Sequence, residues 1–257
     1  MSTLQPDGGE MKVITISRQY GSGGGEIAAR LAERLNWHLI DHEIVARVAR
    51  ELGIPEQKAE VRDEYAQGFI ARVLSQFVST VPTAASPVVQ VALPDQTDED
   101  RYQEAQRRVV ETAADIGRAV IVGRASQVIL ASRRDVLHVR IVTPLQERIA
   151  YVVLRENLDA ASARERIQLK DGDRSRYLQT VFHRDVNDPM LYDLVINTGV
   201  LSLGRAVDLI GLALEDKAQT LSLPAEALGP ARGLARYPGQ PADFRPPARL
   251  TDTQPSS

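Results

Sequence analysis

A cluster of glycines lies between an apolar segment and an amphipathic segment near the start of the chain. The segment Lys12–Ser17 is short, apolar and β-branched, which favours a buried strand. Four glycines follow within residues 21–25, and Ile27, Leu31 and Leu35 then recur at the spacing of a helix. Backbone N–H groups of a glycine loop at a helix N-terminus converge on an anion. This order therefore favours a phosphate-binding loop over a simple tight turn.

The loop departs from the usual phosphate-loop pattern, Gly-Lys-Ser/Thr, in which the lysine neutralises phosphate charge and the hydroxyl helps to hold Mg²⁺. Gly24 stands at the lysine position, and Glu26 lies one residue beyond the hydroxyl position. A dinucleotide fingerprint fits less well, because G-x-G-x-x-G is broken at its last glycine. The nearest cation is Arg18, which we predict to replace the lysine. We expect the donor nucleotide to be bound by Gly21, Ser22, Gly23, Gly24, Gly25 and Glu26.

The composition excludes several classes of protein. The 257 residues include 31 basic and 34 acidic side chains, and a net charge of −3 argues against nucleic acid as a partner. The absence of cysteine excludes disulfides, thiolate metal sites and a thiol nucleophile. Apolar runs fall short of the ~20 residues of a membrane span. The first twelve residues lack the features of a secretory signal, so we expect a cytoplasmic protein.

Short apolar segments alternate with helical patterns along the chain. Further strands are predicted at 37–40, 119–123, 136–142 and 193–197, and helices at 43–53, 60–79, 98–116, 145–157 and 202–220. Strands that alternate with helices imply a parallel sheet covered on both faces. The pattern predicts one three-layer α/β domain with a central parallel sheet of about five strands.

Three segments stand outside this pattern. Residues 1–11 are polar and predict a flexible leader, whereas residues 80–97 carry three prolines and little charge. The part from 222 to 257 holds 7 of the 14 prolines and lacks apolar periodicity, so we expect a disordered tail. The segment 80–97 reads as a loop or flexible crossover between helical arms, and its apolar prolines could form a contact in a homodimer.

At this point the sequence resembles the cytidylate kinases, and in particular the divergent group called cytidylate kinase-like proteins. The resemblance covers residues 12–215 and is carried by ITISRQYGSGGGEIAARLAERLNWHLIDHEIV (14–45), VIVGRASQVIL (120–130), LHVRIVTPLQERI (137–149) and DPMLYDLVINTGVLSL (188–203). It implies a P-loop NTPase core over 12–221, with a helical arm at about 42–117 that binds the nucleoside monophosphate and a lid at about 160–187. It also implies ATP and Mg²⁺, and transfer of the γ-phosphoryl group to CMP or dCMP.

Two parts of the family's pattern are matched incompletely. Ordinary cytidylate kinases follow the second strand with Asp-Ser-Gly-Ala-x-Tyr-Arg, of which this chain keeps Asp41 and Arg47. The Gly-Arg pair of the family's Asp/Glu-Gly-Arg-Asp motif is present as Gly123 and Arg124, but Ala125 replaces the final acid. The resemblance implies that Asp41, Arg47 and Arg124 bind the acceptor. Without it, Arg47 reads as a solvated arginine and Arg124 as a turn residue.

Residues 164–184 are basic in an otherwise acidic chain, with six basic and three acidic side chains. Arginines that close over the transferred group stabilise its negative charge, whereas a salt-bridged surface helix is the ordinary alternative. The match to the family's lid is loose and implies Arg174 and Arg176 as catalytic residues. Asp171 and Asp173 could orient these arginines or bind Mg²⁺ through water.

Two other functions stay open at this stage. The altered segment 42–46 is compatible with a kinase of the same fold that acts on another small acceptor. The missing lysine is compatible with a nucleotide-binding regulatory module that has little transferase activity. The four histidines lack metal-ligand spacing, so we assign no metal ligands.

Overall fold

A computed structural model describes residues 10–41, 98–224 and 227–229. The chain divides into two compact units, residues 1–222 and 223–257, and the described sheet and helices belong to the first. Several predicted features lie outside the described residues. These are most of the leader, the helices at 43–53 and 60–79, Arg47, the segment 80–97 and nearly all of the tail.

The described residues form a five-stranded parallel sheet in the order β2-β3-β1-β4-β5. The strands are β1 (Val13–Arg18), β2 (His38–Ile40), β3 (Ala119–Val122), β4 (Val136–Val142) and β5 (Leu194–Asn197). The α-helices are α1 (Gly24–Leu35), α2 (Asp98–Ile116), α3 (Ser126–Ile129), α4 (Leu145–Glu156), α5 (Ala160–Phe182) and α6 (Leu203–Thr220), and a 3₁₀ turn spans Pro189–Leu191.

The central strand β1 determines where the loops meet. It pairs in parallel with β3, with Val13 opposite Ala119, and with β4, with Arg18 opposite Ile141. Because parallel strands end at the same edge of a sheet, the segments that follow β1, β3 and β4 lie side by side. The glycine loop and the turn at Gly123 are therefore neighbours at this edge.

Apolar side chains cover both faces of the sheet. Ile14 and Ile16 on one face of β1 pack in the same core cluster as Ile27 of α1 and Ile210 of α6. On the other face, Val13 belongs to a cluster that includes side chains of α2. Alternate residues of a strand point to opposite faces, which explains this division. The fold is a three-layer α/β fold, as predicted.

The predicted strands and the described predicted helices agree with the observed ones to within a residue at each end. The predicted helices included neither α3, whose four residues are too few to show a helical period, nor α5, whose side chains are mostly polar or charged. The basic run 164–184 lies almost entirely in α5, a helix of 23 residues.

His138 is a buried ionisable residue of β4. Its Nδ1 lies 2.8 Å from Oγ1 of Thr15, while Nε2 is buried and has no partner in the part of the chain described. Burial lowers the pKa of His138 to about 4; the negative charge of Asp193 opposes this shift and the positive charge of Lys217 adds to it. The folded protein therefore keeps this imidazole neutral.

This neutral imidazole predicts a loss of stability in mild acid. The unfolded chain binds a proton at His138 near pH 6.5, and the folded chain does so only near pH 4. The free energy of unfolding should fall as the pH falls through this range, by about 1 kcal/mol for each pH unit. Urea unfolding at several pH values measures the slope. His138→Asn should flatten it, and an unchanged slope in that variant would show that other groups are responsible.

Candidate active site

The glycine loop exposes the N-terminus of α1. The Ser22 hydroxyl donates a hydrogen bond to the carbonyl oxygen of Gln19 at 2.8 Å, which tightens the turn before the helix. Gly23 precedes α1 in a left-handed conformation, and no side chain of the described residues caps the helix there. The first N–H groups of a helix lack partners within the helix. These groups are therefore available to an anion such as a phosphate.

The side chain of Arg18 runs between two glycines. A Cβ atom added to Gly24 would lie 2.7 Å from Cβ of Arg18, and one added to Gly123 would lie 2.3 Å from its Nη1. Both separations are shorter than two such atoms tolerate. Gly24 thus stands at the lysine position of the usual phosphate loop because Arg18 fills the adjoining space.

The electrostatic environment of Arg18 is strongly positive. Burial, together with the positive charges of Arg174 and Arg124, lowers the pKa of Arg18 to about 9, and the negative charge of Asp41 opposes this shift. A bound anion stabilises positive side chains that lie close together in a partly buried site. The site is therefore built to receive negative charge.

Arg174 reaches the same place from α5. Its Nη1 donates to the carbonyl oxygen of Arg18 at 3.3 Å and to Oδ1 of Asp171 at 3.4 Å. Its guanidinium lies 5.5 Å from the centre of the Tyr20 ring, within cation–π range. Burial lowers the pKa of Arg174, and the charge of Asp171 opposes this effect.

Asp171 joins three elements around Arg174. Besides that arginine, its carboxylate accepts the backbone N–H of Tyr20 at 2.8 Å and Nη1 of Arg148 at 2.5 Å. The glycine loop, α4 and α5 are connected through this one side chain. Of the two roles considered for Asp171 from the sequence, its contacts match the orientation of arginines.

Arg124 lies on a turn of unusual backbone conformation after β3. Gly123, Arg124 and Ala125 have φ angles of 76°, 60° and 51°, which are all left-handed. Nη1 of Arg124 donates to the Tyr102 hydroxyl at 3.2 Å and to Oε1 of Gln106 at 2.9 Å. Its Nη2 is buried without a hydrogen-bond partner among the described residues. An unpaired buried N–H of a cation is a candidate ligand contact.

Two cavities meet at these arginines. The loop cavity, of about 560 Å³, is lined by residues 18–26 together with Ala29, Tyr151, Val152, Arg155, Glu156 and Arg174. The sheet-edge cavity, of about 400 Å³, is lined by Ser17, Arg18, Tyr102, Gln106, Val122, Gly123, Arg124, Ala125, Gln127, Lys170, Asp173, Arg174, Tyr177, Leu178 and Val186. Arg18 and Arg174 line both cavities, so the two spaces share a wall of positive charge.

The other predicted site residues are placed differently. Asp41 follows β2 and acts electrostatically on Arg18. Arg176 is exposed, pairs with Asp173 at 3.2 Å, and lines neither cavity. Within the described ranges, no group of three or more histidine or acidic side chains could hold a metal ion. No helix of these residues is long and apolar enough to cross a membrane.

Arg140 is a buried arginine close to the site that the sequence did not indicate; it lines neither cavity but acts on Arg174. It is a buried residue of β4 whose Nη1 donates to Oγ of Ser17 at 2.9 Å and whose Nη2 donates to Oδ1 of Asn187 at 3.1 Å. Its guanidinium lies 5.5 Å from the centre of the Tyr192 ring, and its charge contributes to the lowered pKa of Arg174. The sequence feature that could have indicated Arg140 is the position of a single arginine inside the apolar strand segment VLHVRIV.

The parallel sheet and the glycine loop between its central strand and α1 define an α/β protein with a P-loop fold. The family model described as the cytidylate kinase-like family matches residues 13–200. The chain belongs to this family, which agrees with the resemblance seen in the sequence.

Individual relatives are distant. The chain is 26% identical over 211 residues to a cytidylate kinase from Methanopyrus kandleri, a match that covers 79% of this chain and 93% of that protein. It is 30% identical over 104 residues to a uronate isomerase from Corynebacterium glutamicum, which covers 40% of this chain but spans only 20% of that protein. A crystal structure of an uncharacterized protein from Eubacterium ventriosum is similar at a TM-score of 0.58 and 20% identity, covering 79% of this chain and 98% of that one. This last likeness supports the fold alone.

The packing of Arg18 against Gly24 predicts opposite effects at two neighbouring glycines. Gly24→Ala should destabilise the protein by about 1–3 kcal/mol, because its Cβ overlaps Cβ of Arg18 and the backbone must shift. Gly25→Ala is the matched control, since an added Cβ there meets no atom within 4 Å. This second change should stabilise α1 by about 0.5–1 kcal/mol. Urea unfolding compares the two variants, and equal effects would contradict the packing argument.

Proposed function

We propose that the protein transfers the γ-phosphoryl group of ATP to a nucleoside monophosphate, with CMP and dCMP as the acceptors. The observation that carries this proposal is the shared wall: Arg18 and Arg174 line both the loop cavity and the sheet-edge cavity. A phosphoryl group that moves between two bound nucleotides must pass between their sites. Cations placed there would stabilise it throughout the transfer.

In this proposal the loop cavity binds the phosphates of ATP. The N–H groups of the glycine loop and of the first turn of α1 would surround the β-phosphate. Arg18 would supply the positive charge that a phosphate-loop lysine ordinarily supplies. Its stem packs against the position where that lysine would begin, which supports the substitution.

The sheet-edge cavity then binds the acceptor. Arg124 would contact it through the unpaired Nη2, with Asp41 and Arg47 as further acceptor residues by resemblance. An oxygen of the acceptor phosphate attacks the γ-phosphorus in line. The bond from the γ-phosphorus to the β–γ bridging oxygen breaks, and ADP leaves with that electron pair. Arg174 would stabilise the charge that spreads over the equatorial oxygens.

Mg²⁺, which the family implies, fits this site mainly through the substrate. The described residues offer no cluster of acidic ligands, and Mg²⁺ often binds substrate phosphates and water instead. Ser22 donates its hydroxyl proton to Gln19, so its oxygen lone pairs remain available to the ion. The ion would neutralise part of the charge on the donor phosphates.

The decisive experiment is ADP production from Mg·ATP with CMP, dCMP, UMP, AMP and GMP offered separately. We expect turnover with CMP or dCMP. Arg18→Ala and Arg174→Ala should each lower kcat by about a thousandfold, because each removes a cation from the path of the transferred group. Arg176→Ala, two residues along the same helix, shows whether an arginine outside both cavities takes part.

Two outcomes would redirect the assignment. Tight ATP binding in calorimetry without turnover of any acceptor would favour a nucleotide-binding regulatory module, as the missing lysine allows. Turnover of other small acceptors, with none of the five nucleotides used, would favour a kinase of different specificity on the same fold. Full activity in Arg18→Ala would contradict the proposed replacement of the lysine.

A further inference from the structure

The sheet-edge cavity is lined by a glutamine whose amide has no hydrogen-bond partner among the described residues. Gln127 lies in α3, just after the left-handed turn at 123–125, and is only 4% exposed. Its side chain has no hydrogen bond to the rest of the described chain, and the residue lines the sheet-edge cavity. Polar side-chain atoms inside folded proteins nearly always have a partner, either in the protein or in ordered water. A ligand in the cavity would provide a partner for this amide.

A second glutamine in the same cavity shows the contrast. Gln106 is also buried, at 3% exposed, but both ends of its amide are paired. Its Oε1 accepts from Arg124, and its Nε2 donates to the Tyr177 hydroxyl at 2.7 Å. Gln106 therefore holds Arg124 in position and has little capacity left for a ligand. Gln127 keeps both its donor and its acceptor.

The side chains that line the cavity are of two chemical kinds. Arg18 and Arg174, which also line the loop cavity, are the cations beside which we place the acceptor phosphate. Gln127 lines only the sheet-edge cavity, together with the rings of Tyr102 and Tyr177. A neutral amide binds a phosphate less strongly than a guanidinium does, but it matches a planar edge that carries one donor beside one acceptor.

The one carboxylate that lines this cavity among the described residues is already paired. Asp173 accepts from Arg176 at 3.2 Å. Ala125, which replaces the acid of the family's Gly-Arg-Asp pattern, contributes only a methyl group. Of the two glutamines that line this cavity, Gln106 uses both its donor and its acceptor, and Gln127 uses neither.

We propose that Gln127 determines base specificity by pairing with the pyrimidine edge of the acceptor. Its Nε2 donates to N3 of cytosine, and its Oε1 accepts from the amino group at C4. The proposal rests on the proposed function, because it takes the sheet-edge cavity as the acceptor site. The same amide, rotated by half a turn, fits the N3–H and O4 of uracil, so the substrate class is the pyrimidine monophosphates.

A thermodynamic cycle tests this pairing by removing each partner separately. The acceptors are CMP and its 4-deamino analogue, the monophosphate of pyrimidin-2-one riboside, which lacks the amino group. We expect the wild-type protein to use CMP about tenfold more efficiently than the analogue, as one lost hydrogen bond implies. In Gln127→Met, which removes both hydrogen bonds, kcat/KM for CMP should fall by up to about a hundredfold and the preference should vanish. Gln146→Met, at an exposed glutamine of α4, should keep it.

Each remaining result decides the question. Turnover of CMP with the same preference in wild type and Gln127→Met would overturn the inference and leave the proposed function standing. Absence of turnover with every acceptor would overturn the proposed function. In that case calorimetry measures the binding of CMP and of its 4-deamino analogue to the wild-type protein and to Gln127→Met. The same preference for CMP in both proteins would overturn the inference. Gln127→Glu, of nearly equal size, serves if Gln127→Met does not fold, because its carboxylate cannot donate to N3.

Discussion

The placement of Arg18 is the constraint on which the rest of the site depends. Its side chain leaves the end of the central strand and occupies the space between the glycine loop and the turn after β3. A Cβ atom at position 24 would overlap the start of this side chain and one at position 123 would overlap its end, although the two positions lie 99 apart in the sequence. One side chain thus contacts both loops and lines both cavities.

The surrounding charges follow from that placement. Arg124 and Arg174 approach Arg18 from a turn and from α5, and burial makes their mutual repulsion more costly than it would be in water. Asp171 lowers this cost only in part, since its carboxylate also accepts from the loop backbone and from Arg148. The described site is left with an excess of positive charge, which a phosphate-bearing ligand would neutralise.

The sequence predicted the fold class and the five strands because strand patterns are local, but it predicted neither the order of the strands nor the long helix α5. It also indicated Arg18, since this is the nearest cation to the glycine loop. The sequence predicted the same catalytic role for Arg174 and Arg176. Residues two apart on a helix lie on different faces, and only Arg174 lines the cavities. The partners of Gln106 and Gln127 were equally inaccessible, because they depend on which residues the sheet brings together from distant parts of the chain.

The position of Arg18 on a strand has a mechanical consequence. A cation on a loop can swing away from an empty site, whereas this one is anchored to the sheet and confined by packing on two sides. Little reorganisation is then needed when charge develops beside it. Because Arg18 lines both cavities, an anion bound in one would change the electrostatic potential in the other, and this would couple the two occupancies without any movement of the backbone.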